Sequence, residues 1–563
     1  MFLWALEVAK SALFAQQTSI YVTSHNIANV NTPEYSRQQA VLSTLGPVNL
    51  PVGYLGRGVW VEEVRRIYDR FLSLQINSQQ SEKTYWETYH TTLSFLEGIL
   101  GSSEQEGLGT LMDEFFNAWH DLSLNPQGYA ERTALLAVSD NLVKFINYKA
   151  KQLSSVKSNI NQEIDTVIQD VNRIISEIAR INGLLRRGRN DLFDERDGLL
   201  RELAQYLDFT VLEDSQGRVS VLVGGIPLVE GLETRQLEME ETQEGVKVYL
   251  TDSGVRFEIT SFISSGKLGA LLRVRNQIYG EITSNLDELA RRIIYEVNRF
   301  HSEGEGLSRY SSVEGVYAVT DPDSPLQQAG LPFEVPQGSF PIRIYDANGT
   351  LIQSGSISVD PSSDSLNDLV DRINNAFTGY LQARVEEGKL IIEAQGTYSF
   401  GFARGDQDPS GILAALGINV FFVGEDASTM EINSLLRDSP EYIAASSLPS
   451  SPGDNSNALQ IAELQTQQVT FQRAGASGQT VTTFKDFYAS IVGDIGLKSK
   501  DAMNRFETAE GLLQSLENRR QEISGVSMDE EVINLMRLQR SYEAATKIIG
   551  IVDELLETLI ALR

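Results

Sequence analysis

Few stretches of this chain hold residue types at a spacing that could do chemistry. Its four histidines, His25, His90, His120 and His301, are dispersed, and no two stand at the spacing of a helical metal site. They read as structural, His25 through a polar contact to the loop that follows it. With no cysteine in 563 residues, disulfides and thiolate chemistry are excluded. Asp191, Asp194 and Asp197 resemble a ligand cluster. A calcium loop, however, alternates Asp and Asn around a Gly, and this spacing suits a helix start, where carboxylates meet the positive end of the macrodipole. Asp321 and Asp323 are an acidic pair that could in principle support hydrolysis. Gly266-Lys267-Leu268-Gly269 lacks the remainder of a phosphate loop, and neither a Gly-x-Ser-x-Gly elbow nor a dinucleotide fingerprint occurs. No catalytic residue, metal site or cofactor is therefore assigned, and the chain does not read as an enzyme.

What it has in abundance is negative charge and amphipathic helix. The formal net charge of −29 opposes long-range attraction to nucleic acid or an anionic membrane, and no basic tract offsets it. No stretch is long and apolar enough to span a bilayer, so no membrane insertion is expected. Glu7 and Lys10 interrupt the first apolar run and no small-residue cleavage site follows, so no cleaved secretory signal is expected.

The elements that organise the rest lie at the two ends. Leu6, Leu13, Ile20 and Ile27 recur at intervals of seven, with Phe2, Ala9 and Val30 on the adjoining seam, the stripe of a heptad helix. Leu535, Leu538, Tyr542, Ala545, Ile549, Val552, Leu556 and Leu559 alternate spacings of three and four. Ile548, Leu555 and Ile560 flank this second stripe. Its apolar face is wider than a two-stranded seam needs, so it calls for more than one partner. Both stripes are the expected subunit interface, where the termini meet each other or their copies in neighbouring subunits.

The expected fold class is α+β, mainly α: a discontinuous multidomain rod with terminal coiled-coil helices, a long-helix bundle and antiparallel β subdomains at the outer end. The first helix should stop near Asn29, because Asn31-Thr32-Pro33 turns the backbone from the helical region and removes a donor. Gly46, Pro47, Pro51, Gly53, Gly56 and Gly58 punctuate the next segment, before a short strand at Val59 to Glu62. Helices are expected through Leu100 and from Leu108 to Leu122, with breaks at Gly101-Ser102-Ser103 and Asn125-Pro126. A longer one runs from Leu142 to Leu185, with Lys149 on its seam. Beyond Gly183 and Gly188 a charged segment opens a helix ending near Leu207.

The period then changes to two. Val219, Val221 and Val223, with Val255, Phe257 and Ile259, predict one small antiparallel sheet. Helix returns from Leu268 through Phe300; two hairpins around Asp346 to Gly349 and Glu386 to Lys389 enclose a helix at Leu366 to Phe377. Asp454-Asn455-Ser456-Asn457 supplies cap chemistry for a helix from Ala458, and a break at Gly475 to Gly478 precedes a helix from Phe484 towards Ile523. The domain reading is 1–66 with 525–563 as a terminal helical assembly domain. Residues 67–300 with 454–524 form a helical bundle carrying a small β insert at about 208–262, and 301–453 form a mostly β inserted outer domain.

Residues Ser24 to Gln38, with Asn26, Asn29, Thr32, Pro33, Tyr35, Ser36 and Arg37 as the motif, resemble the N-terminal signature of bacterial flagellar rod, hook and hook-associated proteins. The Thr-Pro-x-Tyr-Ser-Arg form is similar to the hook-associated members in particular. Arg66 to Leu72, Asn190 to Asp197 and Ser524 to Glu531 extend that likeness, and Leu538 to Lys547 resembles the axial-protein C-terminus. The resemblance implies a structural adaptor, a ring at the hook-filament junction that filament assembly requires. Its implied partners are copies of itself, the hook protein, hook-associated protein 3 on the filament side, and a cytoplasmic export chaperone holding the C-terminal region. Type III export without cleavage, to the extracellular flagellum, is implied as well. Two other readings stand beside it. One is another axial protein, hook or rod, against which Ser36-Arg37-Gln38 and the long bundle speak; the other is an enzymatic or ligand-binding module in the insertion from about Tyr310 to Leu448.

Overall fold

The structure, a computed structural model, describes residues 2–50, 53–101, 107–185, 189–252, 254–475 and 478–561. The turn signals at Pro51, Ser102, Ser103 and Gly188, the middle of the Gly475 to Gly478 break, and the Phe2 side chain lie outside that description.

Helix α1 (Phe2–Ala28) leads into β1 (Gln38–Thr44), β2 (Val48–Leu50), β3 (Gly53–Leu55) and β4 (Val59–Arg66), then α2 (Arg70–Leu100), α3 (Leu108–Leu124), α4 (Tyr129–Leu184) and α5 (Asn190–Tyr206). Strands β5 (Thr210–Glu213), β6 (Val219–Val223), β7 (Ile226–Glu230), β8 (Glu233–Thr234), β9 (Gln236–Thr242), β10 (Gly245–Asp252) and β11 (Val255–Glu258) precede α6 (Gly266–Arg273) and α7 (Tyr279–His301). Near the C-terminus come α12 (Phe484–Ser524) and α13 (Met528–Ala561), after a run of shorter elements from β12 (Ser312–Glu314) to β21 (Gln479–Thr482). Every strand pairing among the described residues is antiparallel. The fold is α+β and mainly α.

Two compact units divide the chain. One comprises 1–92, 160–276 and 499–563, the other 93–159 and 277–498. In the first, α1 packs on α13. The apolar stripe of α4 buries Ile164, Val171, Ile174, Ile178 and Ile181. Where one small sheet was expected there are two, β5-β6-β7-β8 and β9-β10-β11. Asparagine side chains fasten both. Asn182 accepts from Val219 N–H (3.0 Å) and donates to Val219 O (2.8 Å), and Asn172 does the same for Leu237 (2.8 and 2.9 Å). A primary amide offers a donor and an acceptor side by side, so it can stand in for a neighbouring strand where the backbone of one is left unpaired. Asn276 holds Val246 in this way too, from a π-helical turn at Val274–Ile278 that interrupts the continuous helix expected from Leu268. The extra residue of a π turn rotates the following side chains. Arg275 there reaches Asn161 Oδ1 at 2.8 Å.

The second unit has an aromatic core of Phe115, Phe116, Trp119, Phe421 and Phe422, all fully buried. The hairpin of β13 (Gly338–Tyr345) and β14 (Leu351–Val359) and that of β15 (Leu381–Glu386) and β16 (Lys389–Ala394) appear where the turn residues place them. Between them α8 (Leu366–Ala376) starts with a capping box in which Ser365 and Asp368 satisfy each other's backbone N–H. His301, wholly buried, lies 2.8 Å through Nδ1 from Asn419 O and accepts at Nε2 from Ala444 N–H at 3.0 Å. It is a neutral, structural imidazole.

Candidate functional site

The signature that follows α1 folds as consecutive turns. Thr32 N–H donates to Asn29 O at 2.9 Å and Tyr35 N–H to Thr32 O at 3.2 Å, which reverses the chain at Pro33. Asn26, 1% exposed, anchors the reversal. Its amide oxygen accepts from the Tyr35 hydroxyl (2.7 Å) and Gln38 N–H (2.9 Å); its amide nitrogen donates to Gln38 O (2.9 Å) and Glu531 Oε2 (3.2 Å). Both lone pairs and both protons are thereby used. With the Tyr35 proton turned to Asn26, His25 Nδ1, 3.0 Å from the hydroxyl oxygen, is the donor there. Burial first, then Asp194 and Glu531, raise the Tyr35 hydroxyl well above its ordinary range, so it stays protonated.

The loop is also tied to the corner between α12 and α13. Arg37 N–H donates to Ser524 O at 2.9 Å, and the Arg37 guanidinium meets Glu530 at 3.2 Å. That corner needs glycine: a Cβ on Gly525 would stand 2.4 Å from Gln521 O. Helix α13 then opens with Asp529, Glu530 and Glu531, which complement its N-terminal dipole. Register between β1 and β4 sets Arg66 beside Gln38.

Arg66, its side chain 8% exposed, reaches Asp194 Oδ1 (2.8 Å) and Asp197 Oδ2 (2.7 Å) and donates to Ser36 Oγ (3.2 Å). Its planar cation also lies 4.9 Å from the Tyr68 ring. Arg196 pairs with Asp197 Oδ1 (2.7 Å) and Glu213 Oε1 (3.1 Å). Burial pushes the Asp194 carboxyl up to about 6, although Arg66 and Ser36 pull it down. Burial also opposes the Arg196 charge, but Asp197 and Glu213 more than offset it. On the other side of the loop Arg201 and Arg520 both bind Glu34, and Arg520 donates to Pro33 O at 3.2 Å. Asn190 completes the junction with a 2.9 Å bond to Val64 O.

Four stretches distant in sequence, 24–38, 66–72, 190–197 and 524–531, thus converge on one buried polar junction. Asp191 alone keeps the helix-start role expected for the acidic trio, pairing with Arg189 at 3.0 Å. Asp194 and Asp197, three residues apart and so on one face of α5, turn inward to Arg66 instead. Sequence reasoning missed Arg196, Arg201, Glu213 and Arg520 as members of this junction. Arg66 and Arg196 stood inside the quoted motifs, but nothing in their spacing named their partners.

Of the stripe positions, Ala545 and Val552 are buried; Leu6, Leu13, Ile20, Ile27, Leu535, Leu538, Tyr542, Ile549 and Leu556 are half-buried; Leu559 is half exposed. The most buried residues of α1 are small or polar: Ala9, Ala15, Ser19, Val22, Thr23 and Asn26. Leu3, Phe14, Tyr21, Ile533, Ile551 and Ile560 are each more than half exposed. The pairing of α1 and α13 therefore leaves a substantial apolar surface without a partner in the single chain.

Elsewhere, the Asp321 carboxylate accepts from Asp323 N–H (3.0 Å) and Ser324 Oγ (2.9 Å), and Asp323 accepts from Asn367 at 2.6 Å. The Asp321 oxygens serve the turn they lie in, and that of Asp323 ties the turn to a residue of α8. Among the described residues no group of three His, Asp or Glu side chains is placed to hold a metal ion, and no helix is long and apolar enough to cross a membrane.

Residues 93–311 match the family described as flagellar hook-associated protein FlgK helical domain. Residues 517–562 match the flagellar basal body rod FlgEFG protein C-terminal family, and residues 6–35 the flagella basal body rod protein family. The chain is similar to flagellar hook-associated protein 1 of Bacillus subtilis strain 168, 25% identical over 573 residues that cover 99% of this chain and 97% of the relative. Its likeness to the protein of that name from Escherichia coli strain K12 is 26% over 571 residues, 99% of each chain. Among solved structures it is similar to the flagellar hook junction protein FlgK from Burkholderia pseudomallei, with a TM-score of 0.51 and 15% identity over 80% of this chain and all of that one. That last likeness is one of fold.

Proposed function

We propose that the chain is a member of the flagellar hook-associated protein 1 family and forms the ring that adapts the hook to the filament of the bacterial flagellum. The observation that carries the reading is the unpartnered apolar surface of the α1 and α13 pair, held in place by the polar junction at its base. Burying one Leu or Ile is worth roughly 1.5–3 kcal/mol, so a few such side chains per contact can drive ring formation against repulsion between acidic subunits, which salt screens. In this reading 1–66 and 525–563 are the assembly domain. The same surface accounts for the need of a cytoplasmic chaperone before export, and export without cleavage leaves α1 whole for assembly. Hook protein on one side and hook-associated protein 3 on the other complete the set of partners.

Deleting the coding sequence in the source bacterium tests this directly. Cells should carry hooks without filaments and release flagellin into the medium; filaments growing normally would refute the junction role.

A further inference from the structure

Inside the motif junction lies a small cavity of about 30 Å³. Five arginines line it, Arg66, Arg70, Arg196, Arg201 and Arg520, within a chain whose net charge is −29. The carboxylates of its wall are already engaged. Asp197 is held by Arg66 and Arg196, Glu213 by Arg196, and Glu34 by Arg201 and Arg520. The wall also holds unmatched charged donors: the Nε–H groups of Arg66, Arg201 and Arg520 are buried and have no hydrogen-bond partner. Native structures rarely leave a buried donor unmatched, least of all a charged one.

The volume suits one water molecule or an ion not much larger. A water would accept from one or two of these groups, but it would leave uncompensated a lining that holds five guanidinium groups against the three carboxylates of Glu34, Asp197 and Glu213. An anion only accepts. Phosphate and sulfate, with four oxygens around a central atom, need more room than the cavity has.

We propose that this cavity binds a single small monovalent anion of halide size, held by the Nε–H groups of Arg66, Arg201 and Arg520. Its position gives it a task. Arg66 ends β4, Arg201 belongs to α5 and Arg520 to α12, and Glu34 of the signature loop joins the last two. One shared acceptor at their centre fastens the loop to three segments that are remote in sequence.

Crystals of the full chain soaked in sodium bromide, with diffraction measured at the bromine edge, test the site. An anomalous peak in the cavity, within hydrogen-bonding reach of the three Nε atoms, is expected; ordered water without a peak overturns the proposal. In solution, melting in sodium chloride and in sodium gluconate at equal ionic strength separates site binding from screening. Chloride should raise the midpoint by about 2 °C or more, and equal midpoints for the natural chain overturn the proposal. Arg520→Lys keeps the charge but lacks the Nε–H donor, and should abolish the chloride effect. Should that variant fail to fold, the bromide experiment on the natural chain still decides.

Discussion

Asn26, on the last turn of the first helix, donates a 3.2 Å hydrogen bond to Glu531, on the first turn of the last helix, across 505 positions of sequence. Two helices joined by a heptad stripe alone could slide by one repeat with little loss of apolar contact. A single buried polar pair removes that freedom, because any other register strands both groups. The Asn26→Leu variant keeps the helix apolar but leaves Glu531 and the Gln38 backbone without their partner. It should lower stability by about 2–4 kcal/mol, and the Gln38 and Arg37 amides should exchange with solvent much faster. Unchanged exchange at those two amides would show that the loop is held by other contacts.

Asp194 makes the junction sensitive to acid in an unusual direction. Its carboxyl is pushed from 3.8 up to about 6, first by burial, so the folded state binds this proton more tightly than the unfolded state. The stability that Asp194 contributes is therefore fully present below about pH 4 and is lost as the pH rises to about 6; a shift of this size is worth roughly 3 kcal/mol. Comparing the natural chain with Asp194→Asn isolates the effect. The difference in unfolding free energy between the two should move in favour of the natural chain on going from pH 7 to pH 4, and a difference independent of pH would contradict the assignment.

How much of this was legible beforehand depended on what each feature required. Helix α3 ends within two residues of its expected limit because its apolar spacing is regular. Helix α4 begins at Tyr129 rather than near Leu142, because two of the positions its first turns bury are Arg132 and Ser139. Arg132 is acceptable there only because its guanidinium donates to the carbonyls of Pro126, Pro440 and Ile443, none of which sequence periodicity can reveal. The terminal stripes were visible as repeats of large apolar residues. The deepest positions of α1 are nonetheless Ala9, Ala15 and Ser19, since close approach of packed elements favours small side chains. The polar junction was present in the motifs as residue types, but Arg66 finds Asp194 only through the β1 and β4 pairing and the placement of α5.

His301 gives the second unit the opposite response. Burial holds its imidazole down at about 4 from 6.5, so the folded state resists the proton that the unfolded state accepts. Its contribution is intact above about pH 6.5 and is lost as the pH falls towards 4, again by roughly 3 kcal/mol. Trp119, whose ring centroid is 6.3 Å from that of His301, reports the event. A variant with Trp4, Trp60 and Trp86 replaced by Phe should show Trp119 emission shifting to the red at a denaturant midpoint that falls between pH 7 and pH 4.5. A midpoint that stays level, once compared with the His301→Gln form, would remove the imidazole as the cause.

Assembly and folding should separate at two neighbouring positions of α13. Val552 is 4% exposed and Ile551 is 57% exposed, so the same charge placed at each meets different surroundings. Val552→Asp buries a carboxylate within the single chain and should cost about 3 kcal/mol or more of stability, seen as a lower melting temperature of the purified monomer. Ile551→Asp leaves the monomer's melting within about 0.5 kcal/mol of the natural value, as expected for a solvent-facing site. In the bacterium, however, Ile551→Asp places a charge on the apolar surface proposed to meet a neighbouring subunit, so hooks should form and filaments should not. Ile549→Asp, at a half-buried stripe position, should fail in both assays to an intermediate degree. Normal filaments from Ile551→Asp cells would mean that the exposed side of α13 is not the surface on which neighbouring subunits meet.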